Sequence, residues 1–224
     1  MQNYTRAILF ANGDCPDELG LQISDNDFLI AVDGGLLKLR KLGLQPHLLI
    51  GDLDSISAAE LDQCEQAGVE ILRFSPQKDE TDLELALLEA IKRGFSHILI
   101  TCALGGRLDH TLGNLSILGM PEAKGLQISI LDGHTSVYLV RDQLQLATAQ
   151  GDLISLIPSG TEVQGVLTSG LRYPLEDETL YPWKTRGLSN VALGNRVNVS
   201  VQSGQLYVFH ISTKTNTEEK EQDE

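Results

Sequence analysis

Thr81-Asp82-Leu83-Glu84-Leu85-Ala86-Leu87-Leu88-Glu89-Ala90-Ile91-Lys92-Arg93 carries apolar side chains at Leu83, Ala86, Leu87, Ala90 and Ile91. That is the i, i+3, i+4, i+7, i+8 stripe of a helix packed on a sheet. Short apolar runs stand on either side of it, Val69–Phe74 and Ile98–Thr101. A strand, a helix and a strand in that order mark a parallel βα unit, whose strands are buried on both faces and so read as continuous apolar runs. Working outward, the same texture fills the first ~140 residues. Further strands are predicted at Ala7–Ala11, Phe28–Val32, Leu48–Ile50 and Leu126–Leu131. Ser57 and Glu60 form a capping box that opens another helix, which Gly68 closes.

From about Thr135 the pattern changes to alternating runs, Val137–Val140, Leu153–Ile157, Glu162–Leu167, Val197–Val201 and Leu206–Phe209, separated by Gly, Pro, Ser and Asn. These read as antiparallel strands. The expected organisation is an α/β domain over 1–133, a β domain over 134–211, and a polar tail over 212–224 too poor in apolar groups to order itself. Asp132-Gly133 is the turn-like joint, and no internal repeat is visible.

With 224 residues, 42% of them hydrophobic and 21% charged, the chain buries a core without disulfides or a structural metal, and disorder over most of its length is excluded. Against 31 Asp+Glu stand 17 Lys+Arg, a formal charge of −14 that repels polyanions and argues against nucleic-acid binding. An acidic site that gathers divalent cations, and through them a phosphorylated small molecule, suits the same balance. Cys15, Cys64 and Cys102 are an odd number without a CxxC pair, and are expected as three reduced cysteines packed like small hydrophobes. No signal-peptide pattern opens the chain and no run approaches a membrane span, so a cytoplasmic protein without membrane contact is expected.

Ligands of open parallel sheets bind beyond the carboxyl ends of the strands. The residues there are Asn12-Gly13-Asp14, Asp33-Gly34-Gly35, Gly51-Asp52-Leu53-Asp54-Ser55, Lys78-Asp79-Glu80-Thr81-Asp82 and Gly105-Gly106-Arg107-Leu108-Asp109-His110. Singly, each has an ordinary explanation: Asp79 caps a helix, and Asp54 or Ser55 finishes a turn. Together, Asp52, Asp54, Asp79 and Asp82 bring four carboxylates to one edge, where repulsion destabilises the fold unless a cation neutralises it. Hard oxygen ligands without Cys or paired His favour Mg²⁺ over zinc. Asp79 and Asp82, three apart at a helix start, face the same side, whereas Asp52 and Asp54 both enter the cleft only if the chain turns there. Gly105-Gly106-Arg107, between a strand and a helix start, is suited to phosphate through bare N–H groups and a forked cation. The P-loop, the dinucleotide GxGxxG after the first strand and the GxSxG elbow are all absent. Metal-assisted work on a nucleotide's phosphates by another architecture remains.

In order and spacing, these acidic and glycine motifs resemble thiamine pyrophosphokinases. Thr168-Ser169-Gly170-Leu171-Arg172-Tyr173-Pro174-Leu175 and Gly187-Leu188-Ser189-Asn190 look like the family's thiamine-side segments. The resemblance covers nearly everything except the tail. It implies an α/β nucleotide domain followed by a β-sandwich, pairing as a homodimer with thiamine between the first domain of one subunit and the second of the other. It also implies Mg²⁺-dependent transfer of the pyrophosphoryl group of ATP to the hydroxyethyl oxygen of thiamine, releasing AMP.

On that resemblance, Asp52, Asp54, Asp79 and Asp82 hold the metal, with one of them accepting the thiamine proton, and Arg107 stabilises the transferring phosphates. Asp33, Gly34, Gly35, Thr81, Gly105, Gly106, Arg107, Asp109 and His110 form the ATP side, Asp109 and His110 either orienting their loop or contacting nucleotide. Ser189 and Asn190 bind thiamine. The aromatic partner of its rings stays open between Tyr173 and Tyr207, Trp183 being a loop residue. Two other readings stand beside this one: a pyrophosphokinase for another alcohol, such as a hydroxymethyl-dihydropterin, and a non-catalytic nucleotide or Mg²⁺ sensor.

Overall fold

A computed structural model describes residues 4–16 and 18–213. The chain divides after Gly133 into two compact units. The first runs β1 (Arg6–Phe10), β2 (Asp27–Val32), α1 (Gly35–Lys41), β3 (Leu48–Gly51), α2 (Ala58–Gln66), β4 (Glu70–Arg73), α3 (Asp82–Lys92), β5 (His97–Thr101), α4 (Leu108–Ser116) and β6 (Gln127–Asp132). Its strands lie in the order β6-β5-β1-β2-β3-β4, and every pair is parallel. All six predicted strands are present, with ends shifted by a residue or two.

Successive side chains of a strand point to opposite faces, and both faces of this sheet are covered. Ile8, Phe10, Leu29, Ala31 and Leu49 pack with Leu36 and Leu39 of α1 and Cys64 of α2. Helix α3 lies against β1, β2 and β3 and buries Leu83, Ala86, Leu87 and Ala90 of the stripe read from its sequence, with Ile91 half-buried. Its N-cap is Thr81, whose Oγ1 accepts the Glu84 N–H at 3.2 Å, so Asp79 is not the capping residue. The Ser57–Glu60 capping box is present in full, and Gly68 closes α2 with φ +75°.

The cysteine expectation is corrected. Only Cys64 is a buried free thiol; Cys15 and Cys102 are joined, with an S–S distance of 2.04 Å. Although 87 residues apart, they follow β1 and β5, which the sheet makes neighbours, and no spacing rule in the sequence carries that adjacency.

The second unit contains β7 (Thr135–Val140), β8 (Gln143–Ala147), β9 (Leu153–Pro158), β10 (Val163–Ser169), β11 (Glu178–Leu180), β12 (Asn190–Val191), β13 (Arg196–Ser200) and β14 (Leu206–Ile211). They form two antiparallel sheets, β12-β9-β14-β7 and β11-β10-β13-β8. Ile154, Leu156, Leu206 and Val208 of the first meet Val163, Val166, Val197 and Val199 of the second in one apolar core, the arrangement of a β-sandwich. Asp152, 1% exposed, ties the end of this unit down by accepting the N–H groups of Ala149 and Thr213 and pairing with His210 Nε2 at 2.8 Å. Of the tail expected to be disordered, Ser212 donates to His134 O and Thr213 is held by Asp152; 214–224 lie outside the described residues.

Candidate active site

The carboxyl ends of the parallel strands surround a cleft of about 530 Å³ lined by Asn12, Asp14, Asp33, Thr81, Asp82, Gly105, Gly106, Arg107 and His110, among others. The segments that follow β1, β2, β4 and β5 meet there because consecutive βα units return each strand in the same direction.

On one wall, Asp33 is joined by Asp52 and Asp54, which do not line the cleft themselves; each of the three brings a carboxylate oxygen within 4.8 Å of the others. Asp33 leaves β2 with φ +46°, a left-handed conformation that turns its side chain in beside Gly51. It is 8% exposed, and its Oδ2 accepts from Ser55 Oγ at 2.8 Å and Asn12 Nδ2 at 3.3 Å. Its Oδ1 is buried without a hydrogen-bond partner. An anionic oxygen left so is costly, and a cation at this point would satisfy it. Asp52 Oδ1 accepts the Asp54 N–H at 3.1 Å, so the chain does turn between them. The neighbouring Asp52 charge pushes the exposed Asp54 carboxyl above its ordinary range, helped by Asp33 and Asp82.

Asp82 opens α3 beside this group, with Oδ1 3.0 Å from Lys78 Nζ, and Lys78 also stands 3.9 Å from Asp52. That ammonium partly balances the cluster. Asp79 is exposed and lies outside the group of three. The carboxylate beside Asp52 and Asp54 is thus Asp33. The sequence shows that β2 and β3 both end in Asp/Gly stretches, but only the sheet shows that they are neighbours.

Gly34 and Gly35 carry α1 across the end of β1. A Cβ at Gly35 would collide with the Phe10 carbonyl, so close packing demands that glycine, while one at Gly34 would displace the Asn12 side chain.

On the opposite wall, Gly105 and Gly106 have φ +86° and +65°, and the Asp14 carboxyl group leans over them. Arg107 is exposed and forms a forked pair with Asp109, Nη2–Oδ2 2.6 Å and Nε–Oδ1 3.2 Å. The guanidinium holds the Asp109 carboxyl down to about 2. His110 is exposed on the first turn of α4.

In the second unit Ser189 has φ +55° and donates its N–H to Ser155 Oγ at 3.0 Å. Asn190 is 5% exposed: Oδ1 accepts the Tyr173 N–H at 3.1 Å and the Val191 N–H at 2.9 Å, and Nδ2 donates to Tyr173 O at 2.7 Å. Tyr173 itself is 65% exposed.

Residues 20–130 match the family described as thiamin pyrophosphokinase, catalytic domain, and residues 141–206 match thiamin pyrophosphokinase, vitamin B1 binding domain. The chain belongs to the thiamine pyrophosphokinase family. A thiamine pyrophosphokinase of Bacillus subtilis is 29% identical over 196 residues, 87% of this chain and 91% of that protein. Crystal structures of thiamine pyrophosphokinase from Bacillus subtilis and of a family protein from Enterococcus faecalis superpose with TM-scores of 0.83 and 0.82. Their identities are 26% and 27%, and each covers 93% of this chain and 100% of the solved one. The two matched regions thus fall on the parallel α/β unit and the sandwich, as the fold of this family requires, and among the described residues no helix is long and apolar enough to cross a membrane.

Proposed function

We propose that this chain transfers the pyrophosphoryl group of ATP to the hydroxyethyl oxygen of thiamine. The alcohol oxygen bonds to the β-phosphorus, the bond from that phosphorus to the α–β bridging oxygen breaks, and AMP leaves while the alcohol proton passes to a carboxylate. The observation that carries this reading is the convergence of Asp33, Asp52 and Asp54, one buried oxygen of which has no partner, in a family whose members are named for the reaction.

Asp33, Asp52, Asp54 and Asp82 form the set we assign to Mg²⁺. When bound, the ion supplies neutralisation of the phosphate charge. The protein's own work is positioning and electrostatics. Gly105 and Gly106 offer backbone N–H groups to phosphate oxygens, and Arg107 offers its fork once Asp109 yields it. One carboxylate of the cluster takes the alcohol proton. Thr81 and His110 line the nucleotide side.

The vitamin B1 binding match over residues 141–206 supports placing thiamine on the sandwich unit. There Asn190 acts through Tyr173, its amide holding the backbone that presents the exposed ring, while Ser189 stays exposed on the adjoining loop. A homodimer accords with α4, which buries none of its residues and exposes Leu108 and Leu112, apolar surface that a second copy covers. A cytoplasmic setting suits consumption of ATP, and the Cys15–Cys102 bond would there meet dithiol reductants.

Purified protein given ATP, Mg²⁺ and thiamine is expected to release AMP and thiamine diphosphate in equal amounts. AMP released with a hydroxymethyl pterin and not with thiamine would transfer the reading to another alcohol, and nucleotide binding without turnover would make the chain a sensor.

A further inference from the structure

The loop that carries Gly105-Gly106-Arg107 is fastened from behind by a residue that lines no part of the cleft. Asp132 is the last residue of β6, the strand beside β5. Its carboxylate accepts three successive backbone N–H groups, those of Cys102, Ala103 at 2.9 Å and Leu104 at 2.7 Å, with Thr101 Oγ1 at 3.4 Å. From the other side Asn114 Nδ2 donates to Ala103 O at 2.8 Å. Among the described residues none accepts the N–H of Gly105 or Gly106.

The strand end therefore sorts its amides into two groups. Those of residues 102–104 are consumed by a fixed internal anion, and those of 105 and 106 are left over. A row of N–H groups converging on a carboxylate behaves as the anion-binding nest does. Having one anion built in fixes the peptide planes of the segment and so sets the direction in which the next two N–H groups leave it. Hydrogen bonds to an ionised acceptor are roughly twice as strong as neutral ones, which makes the carboxylate a firmer anchor than an amide in its place.

We propose that Asp132 is a positioning residue for ATP: it touches no substrate, and by holding residues 102–104 it aims the free N–H groups of Gly105 and Gly106 at the phosphates. This rests on the reading of the cleft as the ATP site. It assigns Asp132 to the nucleotide and not to the alcohol substrate or to the metal set.

The test is Asp132→Asn, compared with wild type with the Cys15–Cys102 bond in the same state in both. The amide keeps the shape of the carboxylate but sets two donors against a row of donors. The KM for ATP is expected to rise tenfold or more while the KM for thiamine stays within twofold. Binding of the non-hydrolysable analogue α,β-methylene-ATP is expected to weaken in parallel. Amide exchange at residues 102–106 should quicken at least tenfold, with Ile98–Ile100 still protected. Equal analogue binding by a folded variant overturns the proposal, as does an equal rise of both KM values, which marks a general loss of structure. Absence of analogue binding in wild type instead overturns the ATP reading itself. Should Asp132→Asn fail to fold, Asn114→Ala, which removes the other side-chain hold on Ala103, carries the same exchange expectation, KM being left aside because Asn114 lines the cleft, and unchanged exchange at residues 102–106 overturns the proposal.

Discussion

Asn190 clamps the backbone of Tyr173, its Oδ1 accepting the Tyr173 N–H at 3.1 Å and its Nδ2 donating to the Tyr173 carbonyl at 2.7 Å, while the same Oδ1 accepts the Val191 N–H at 2.9 Å. A buried amide bonded at both ends to one residue is a clamp, and its oxygen is fully used by two backbone N–H groups. Asn190→Ala leaves three backbone groups, the Tyr173 N–H and C=O and the Val191 N–H, without that partner, at a stability cost of about 1–3 kcal/mol. It is expected to raise the KM for thiamine severalfold while the KM for ATP is unchanged, which initial rates with each substrate varied in turn will show. Tyr173→Ala should do the same to the thiamine KM with little loss of stability, because its ring is exposed.

Arg107 and Asp109 hold each other in a forked pair at an exposed position, where such a pair contributes little to stability. Arg107→Ala is therefore expected to leave the melting temperature nearly unchanged while lowering kcat by about 10²–10³, the usual effect of removing one donor aimed at developing charge. Arg107→Lys keeps the charge and loses the fork, and its rate should fall between the two.

Repulsion from Asp52 raises the Asp54 carboxyl above its ordinary value, so at neutral pH the ionised Asp54 opposes folding. The sign follows: the penalty is absent while Asp54 is protonated and grows as pH rises through its elevated value. Asp54→Asn should melt at or above the temperature of wild type in metal-free buffer at pH 7, with the difference vanishing below pH ~3.8, near the ordinary carboxyl value. Added Mg²⁺ should stabilise wild type and not the variant, and AMP release by the variant should be abolished. Thermal melts with and without Mg²⁺ across pH check each part.

Two glycines separate packing from propensity. A Cβ at Gly35 would run into the Phe10 carbonyl, and Gly35→Ala is expected to prevent α1 from seating, with loss of soluble protein. At Gly113, inside α4, a Cβ meets nothing within 4 Å, and Gly113→Ala should stabilise by about 0.5–1 kcal/mol. Chemical denaturation of the two variants against wild type reads both effects.

The parallel strands, α3 and the Ser57–Glu60 cap were legible because each is written in local periodicity and spacing. So was the change of texture after Gly133, although β8, β11 and β12, short or polar, escaped notice. Long-range adjacency was not legible. Asp33 reaches Asp52 and Asp54 because β2 pairs with β3, with Val32 opposite Ile50, and because its own φ is positive. Cys15 meets Cys102, and Asp132 meets the loop after β5, for the same reason: neighbours in the sheet are far apart along the chain. Asp79 was grouped with Asp82 on helical spacing, yet the helix starts after it, at a Thr81 cap. Asn190, placed by motif on the thiamine side, shows its clamp only when its partners are seen.

ATP labelled with ³²P at the β-phosphorus tests pyrophosphoryl transfer most directly. With Mg²⁺ and thiamine, the label should appear in thiamine diphosphate while the AMP formed is unlabelled. Label retained in ADP, beside an unlabelled thiamine monophosphate, would show transfer of the terminal phosphoryl group alone and contradict the account.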